Sequence, residues 1–371
     1  MDPIAELELL LRPAGGGVFL VSTGREEQLA LQKKLYSARD EAGVKNAFRR
    51  NLERIVGARA IILGVPSDVG AGYRRGANLG PQGIRTELLR ALPTFARVAE
   101  EHRIVDIGDV FVVPQLLSDD MLSNKQLADA RAALYPGVVE SFPVSPLSIT
   151  ERVLDLVLAL NPTVVPFILG GDHSVAWPVT KALYACDPDL AIVQFDAHTD
   201  LLQSRLGVRY CFATWSFHAN ELIGRQGRMV QIGIRATQRD QAHWEETTGV
   251  RQFWARDCIA HPEAALAEIL AYVDALGAKR IYLSNDIDGT DAAFADATGT
   301  PETGGLSPDF VLSIIRGLGS RIVAADIMEV APVLAADPTV TLRTAVKYLL
   351  AQMEAALSIT VIPSDSEGPP Q

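Results

Sequence analysis

From Ala60 onward the chain repeats one unit: an apolar run of five to seven residues, a glycine-rich turn, then a segment with helical spacing. The runs predict strands at 60–65, 103–107, 164–169, 190–195, 229–234, 280–285 and 321–327, with a weaker one at 251–254. Helices are predicted near 81–93, 149–160, 177–185, 263–276, 308–317 and 341–357. Strands that are apolar throughout and alternate with helices require a parallel sheet covered on both faces. No Pro/Ser-rich linker interrupts residues 60–360, and no internal repeat is visible. Residues 1–57 are charged, carry apolar residues at roughly helical spacing, and read as an N-terminal extension of one or two surface helices. Residues 58–360 read as one folded domain, and the polar end, 361–371, as a disordered tail.

Three of the strand-like runs end in acidic or acidic–histidine segments. VVPFIL leads into Gly170-Gly171-Asp172-His173-Ser174, AIVQF into Asp196-Ala197-His198-Thr199-Asp200, and IYLS into Asn285-Asp286-Ile287-Asp288. In open parallel sheets functional groups gather beyond the carboxyl ends of strands, so the three segments are expected at one site. Alternate residues of an extended chain point the same way, which groups Asp196, His198 and Asp200, and likewise Asp286 with Asp288. With His173 they make four carboxylates and two imidazoles. So many anionic groups cannot share a dry pocket without cations to offset them. Two ions sharing bridging carboxylates would use all six side chains. An oxygen and nitrogen ligand set without thiolate suits manganese, and also admits nickel, iron, cobalt or zinc.

Charge and cysteine content narrow the setting. The formal net charge of −11 is spread along the chain and argues against binding nucleic acid by phosphate neutralisation. No apolar run reaches transmembrane length, and MDPIAELELLLRPAGGG lacks the basic start of a signal peptide. Cys186, Cys211 and Cys258 are odd in number and scattered, which fits a reducing, cytoplasmic setting.

At these residues the chain resembles the ureohydrolase family of arginase, agmatinase and related guanidino hydrolases. GGDHS at 170–174, DAHTD at 196–200 and SNDIDGTD at 284–291, continuing into ATGTPETGGLSP at 297–308, carry the resemblance. GVPSDVGAGYRRGANLGPQGIR at 64–85 and DIMEV at 326–330 agree with it. The ordered set covers about 60–357. The resemblance implies a three-layer α/β/α fold around an eight-stranded parallel sheet. It implies two divalent ions, most simply Mn2+ with Ni2+ as an option, and hydrolysis of a guanidinium group to urea and an amine. It also implies a homo-oligomer, commonly a trimer or hexamer. One ion would be held by His173, Asp196, Asp200 and Asp286, the other by Asp196, His198, Asp286 and Asp288.

The stretch after Asp200, LLQSRLGVRYCFATWSFHANEL, departs from the family: it is longer and aromatic. His218 is the best match there for a proton-carrying histidine, with Asp200 as the other catalytic group, and Trp215 is expected to narrow the substrate pocket. Glu329, at the end of IVAADIM, is expected to pair with the planar guanidinium in bidentate fashion. Arg205 and Arg209 are candidates for a substrate carboxylate, and Thr298 and Thr300 for the pocket rim. Asp172 is expected to support its ligand neighbour, and Gly170 and Gly171 to permit a tight turn. The substrate stays open among arginine, agmatine, a guanidino acid and guanidine. Two other classes remain: a different two-metal hydrolase, and a non-catalytic family member with a binding role.

Overall fold

The computed structural model describes residues 1–18, 20 and 22–361, so the expected tail lies almost wholly outside the described residues. Among the described residues nine strands form one sheet: β1 (Leu11–Arg12), β2 (Ala60–Val65), β3 (Ile104–Val110), β4 (Val165–Gly170), β5 (Ala191–Phe195), β6 (Met229–Ile234), β7 (Arg251–Trp254), β8 (Ile281–Asn285) and β9 (Ile322–Ile327). Their order is β1-β3-β2-β4-β9-β8-β5-β6-β7. β2 through β9 pair in parallel, giving the eight-stranded sheet that the resemblance implies. β1 is an addition, a two-residue antiparallel edge on β3.

The period of two along each strand builds the three layers. Ile61, Leu63 and Val65 of β2, Ile168 of β4 and Ile192 of β5 join one core with the helices Pro146–Leu160 and Ala176–Cys186. Ala60 and Ile62, Phe167 and Leu169, and Val193 and Phe195 face the other core with the helices Gly80–Ala91, Pro308–Leu318 and Thr339–Leu357. The N-terminal segment forms three helices, Pro3–Leu10, Arg25–Leu35 and Glu41–Glu53. Leu7, Leu10, Phe48 and Leu52 from them are buried in the first core.

The chain builds β2, β3 and β4 on one side, crosses to β5, β6 and β7, and returns to insert β8 and β9 between the two halves. Hence β4, β9, β8 and β5 are neighbours, and their carboxyl ends carry the three motif segments and Glu329. Close backbone approach fixes these ends. A Cβ at Gly171 would lie 1.6 Å from the Ser67 carbonyl oxygen, and one at Gly289 would lie 2.7 Å from the Asp196 nitrogen. Neither position can hold a side chain without moving a strand end.

Candidate metal centre

His173 starts a short turn after β4, Asp196 follows β5 directly, and Asp286 caps the turn after β8 in which Asp288 sits. His173, Asp196 and Asp200 bring ligand atoms together within 4.8 Å, as do Asp196, His198 and Asp288. Asp196 is common to both groups. Asp286 joins the first, with His173 Nδ1 at 3.1 Å from its Oδ2. Nδ1 also lies 3.3 Å from Asp196 Oδ2 and 3.5 Å from Asp200 Oδ2. His198 Nδ1 lies 3.1 Å from Asp288 Oδ2 and 3.5 Å from Asp196 Oδ1.

These groups fit two cations. Among the described residues, no Lys or Arg forms an ion pair with any of the four aspartates. Four carboxylates balance two divalent charges, with two neutral imidazoles completing the donor set. Without cations, protons would have to do this. Burial opposes a charged His198, yet the charge of Asp288 and hydrogen bonds donated to Asp196 and Asp288 push it up to about 12. Burial likewise opposes charge on His173, and hydrogen bonds to Asp196 and Asp286 still hold it well above its usual value. Asp200 and Asp286 are raised, by burial first and by neighbouring carboxylates second. Burial would raise Asp196 too, but its two histidine partners overcome that and depress it.

Buried groups behind the ligands hold them. His173 Nε2 lies 3.0 Å from Ser284 Oγ, which donates to Asp326 Oδ2 at 2.9 Å, and the Tyr282 hydroxyl donates to the same oxygen. Such outer partners fix the ring orientation of a ligating imidazole. Asp172 accepts from the Ser174 and Gly70 backbone nitrogens at 3.0 Å each, tying the loop after β2 to the first motif. Thr300 Oγ1 donates to Asp288 Oδ2 at 2.9 Å, and Thr298 is fully buried.

The ligands open into a cavity of about 230 Å³ lined by Tyr73, Arg74, Arg205, Phe212, Thr300 and Glu329, together with His198, Asp200 and Asp286. Glu329 Oε1 accepts from the His173 backbone nitrogen at 2.9 Å. Burial first, then the charge of Asp172, raises the Glu329 pKa well above its usual value. Asp200 (φ 52°) and Glu329 (φ 61°) are both non-glycine residues in the left-handed region. Strained backbone of this kind collects at functional sites.

The aromatic segment is arranged differently from the simplest reading of its sequence. Part of it is a helix, Trp215–Ile223. Trp215 is 1% exposed and lies beneath the ligands rather than on the cavity wall. Its indole Nε1 donates to Asp200 Oδ2 at 3.0 Å, and its ring meets His173 at a centroid distance of 4.5 Å. The wall is Phe212, with the Arg205 guanidinium 4.7 Å from its ring centroid. His218 is not brought to the cavity: Nε2 lies 3.0 Å from the Arg209 carbonyl, and Trp177, Tyr210 and Phe217 surround the ring. Burial lowers its pKa, and the Arg209 carbonyl only partly opposes that. Arg209 lies over Tyr210 and does not line the cavity. Tyr73 and Arg74 were not singled out from sequence. They belong to the segment 64–85 that carries part of the resemblance, but nothing in its composition says which side chains turn inward.

Six side chains able to hold two cations around one shared carboxylate define a two-metal hydrolase centre. The profile of the Arginase family matches residues 58–353. Human mitochondrial guanidino acid hydrolase is 32% identical over 285 residues, spanning 74% of this chain and 72% of that protein. Guanidinobutyrase of Pseudomonas aeruginosa is 31% identical over 282 residues, spanning 74% and 79%. Proclavaminate amidino hydrolase from Streptomyces clavuligerus superposes with a TM-score of 0.63 at 28% identity, over 81% of this chain and 93% of that one. The chain belongs to the arginase family and is a ureohydrolase that cleaves C–N bonds of guanidino compounds with a binuclear metal site.

Proposed function

We propose that the substrate is a small guanidino compound whose tail is anionic or absent, a guanidino acid or guanidine itself, and that the native ions are manganese. The cavity lining carries this reading. Its side chains beyond the ligands include two cations, Arg74 and Arg205, and a single carboxylate, Glu329. A tail ammonium would meet like charge, which costs of the order of several kcal/mol. Glu302, 3.8 Å from His198 Nε2, is an acid near the cavity that would offset this in part. Relatives named for guanidino acids and guanidinobutyrate support an anionic tail. The all-oxygen-and-nitrogen donor set supports manganese, and nickel has the same support.

When bound, the two ions supply a water of lowered pKa able to attack a resonance-stabilised guanidinium at neutral pH. The protein's residues do the rest. Glu329 accepts N–H groups of the guanidinium and turns its central carbon toward the ligands. Asp200, which lines the cavity, carries a proton toward the leaving nitrogen in this reading. Phe212 limits the space, and Tyr73 stands exposed at its mouth. In this reading His218 acts through the loop that it anchors at Arg209, not by touching substrate.

We also propose a homo-oligomer, trimer or hexamer, in a reducing cytosol. Tyr73 and Leu206, 90% and 98% exposed beside the cavity mouth, support a covering partner copy. Three unpaired cysteines support the compartment. No described helix is long and apolar enough to cross a membrane. A urea-release screen of arginine, agmatine, guanidinobutyrate and guanidine, with manganese and with nickel, tests the reading. Guanidinobutyrate or guanidine should exceed both cationic-tailed substrates in kcat/KM by about tenfold or more, a difference of about 1.4 kcal/mol. Agmatine or arginine as the best substrate would overturn it.

A further inference from the structure

Each of β5, β6 and β7 carries one glutamine inside an apolar run: Gln194, Gln231 and Gln252. Gln194 is in register with Gln231, and Gln231 with Gln252, so the three amides share one face of the sheet. All are fully buried. Three buried amides are tolerable only as a connected network, because an unpaired one is costly in low dielectric. Here they connect. Trp254 Nε1 donates to Gln252 Oε1 at 2.9 Å, and Gln252 Nε2 to Gln231 Oε1 at 2.8 Å. Gln231 Nε2 donates to Gln194 Oε1 at 2.8 Å, and Gln194 Nε2 to Asp196 Oδ2 at 2.7 Å.

The direction of this chain is fixed by its ends. An indole N–H can only donate, and an ionised carboxylate can only accept. A side contact to a carbonyl fixes it again midway, and a hydroxyl that follows the chain's direction adds a further donor. Gln231 Nε2 also donates to the Thr199 carbonyl at 2.6 Å, and Ser216 Oγ donates to Gln194 Oε1 at 2.8 Å. Turning any amide over would set acceptor against acceptor.

The target is the carboxylate common to both ligand groups. Asp196 Oδ2 takes the Gln194 amide and faces His173; Oδ1 takes the His198 backbone N–H at 2.6 Å and faces His198 Nδ1. One donor per oxygen stops the carboxylate from rotating. We propose that Gln194, Gln231 and Gln252, oriented from the sheet edge by Trp254, form a one-way hydrogen-bond ladder that positions Asp196 to be shared between two metal ions. The ladder also holds the Thr199 carbonyl, and with it the loop between the ligands His198 and Asp200. These are positioning residues, since none touches substrate.

The proposal rests on the binuclear reading of the site, and the unaltered protein is the control for it. Chelated protein is titrated with MnCl2 by calorimetry, while the melting temperature of the metal-free form is followed separately. The unaltered chain should bind two ions; a single ion would count against the binuclear reading itself. Gln194→Met should weaken manganese binding by about 10–100-fold, the usual cost of losing an outer partner of a ligand. Gln231→Met should weaken it less and Trp254→Phe least. The double variant Gln194→Met/Gln231→Met should fall short of the sum of the singles, because both act through one carboxylate. A purely structural role would lower the melting temperature and leave manganese affinity unchanged. Affinity within about twofold of the unaltered chain in Gln194→Met would overturn the proposal. If that variant does not fold, unchanged affinity in Gln231→Met would do the same.

Discussion

Glu329→Gln separates substrate recognition from site assembly. Oε1 of Glu329 accepts from the His173 backbone nitrogen, and the amide oxygen of glutamine can keep that bond. The other oxygen is left for the cavity, and the substitution replaces it with an N–H donor that would face a guanidinium donor. A hydrogen bond to a charged group contributes about 1.5–3 kcal/mol. At about 1.4 kcal/mol per decade, kcat/KM should fall by about one to two decades. Glu329 belongs to neither of the two ligand groups, so metal content should be unchanged. Steady-state urea release, with metal content measured on the same samples, reads both quantities. A variant within about threefold of the parent, metals retained, would remove Glu329 as the guanidinium partner.

Much of the sheet was legible in the sequence, and so were the six acidic and histidine side chains that the structure gathers at the candidate site. VPFILG, AIVQF, MVQIGI, IYLSN and IVAADI are buried on both faces and so are mostly apolar, and the candidate ligands lie just beyond three of them. β1 was not legible, because two residues carry no period. The helix Asn124–Leu134 has no fully buried residue and only a narrow, partly buried stripe of Leu127, Ala130 and Leu134, although its capping box, Ser123 with Gln126, could have been read. The positions of Phe212, Trp215 and His218 depend on how the loop leaves Asp200 at positive φ, which no local pattern encodes. The three glutamines were visible as polar interruptions in strands, but their alignment required the register of β5, β6 and β7.

Other expectations follow from the same geometry. Trp215→Phe removes the indole donor to Asp200, a bond of about 1.5–3 kcal/mol, and should weaken manganese binding by about tenfold or more while leaving substrate preference unchanged; altered preference at unchanged metal affinity would place Trp215 on the wall instead. His218→Asn should leave metal content intact and lower kcat by less than about tenfold, because the ring does not reach the cavity, whereas a loss of the 10²–10⁴-fold typical of a removed acid–base group would show direct proton transfer. Without ions, and against burial, the acidic partners favour protons on both imidazoles, raising His173 well above its usual value and His198 to about 12. Ligation must expel those protons, so manganese binding should release about two or more protons per chain and tighten as pH rises from 6 to 9. Calorimetry in two buffers of different ionisation enthalpy measures the release, and identical heats in both would contradict it.

The most direct test of the binuclear account is activity against bound metal. Chelated protein is reloaded stepwise with MnCl2, and urea release and manganese per chain are measured at each step. The account predicts that activity is absent in the chelated protein, rises with loading and reaches its plateau at two ions per chain. Full activity at one ion per chain, or activity that survives chelation, would contradict it.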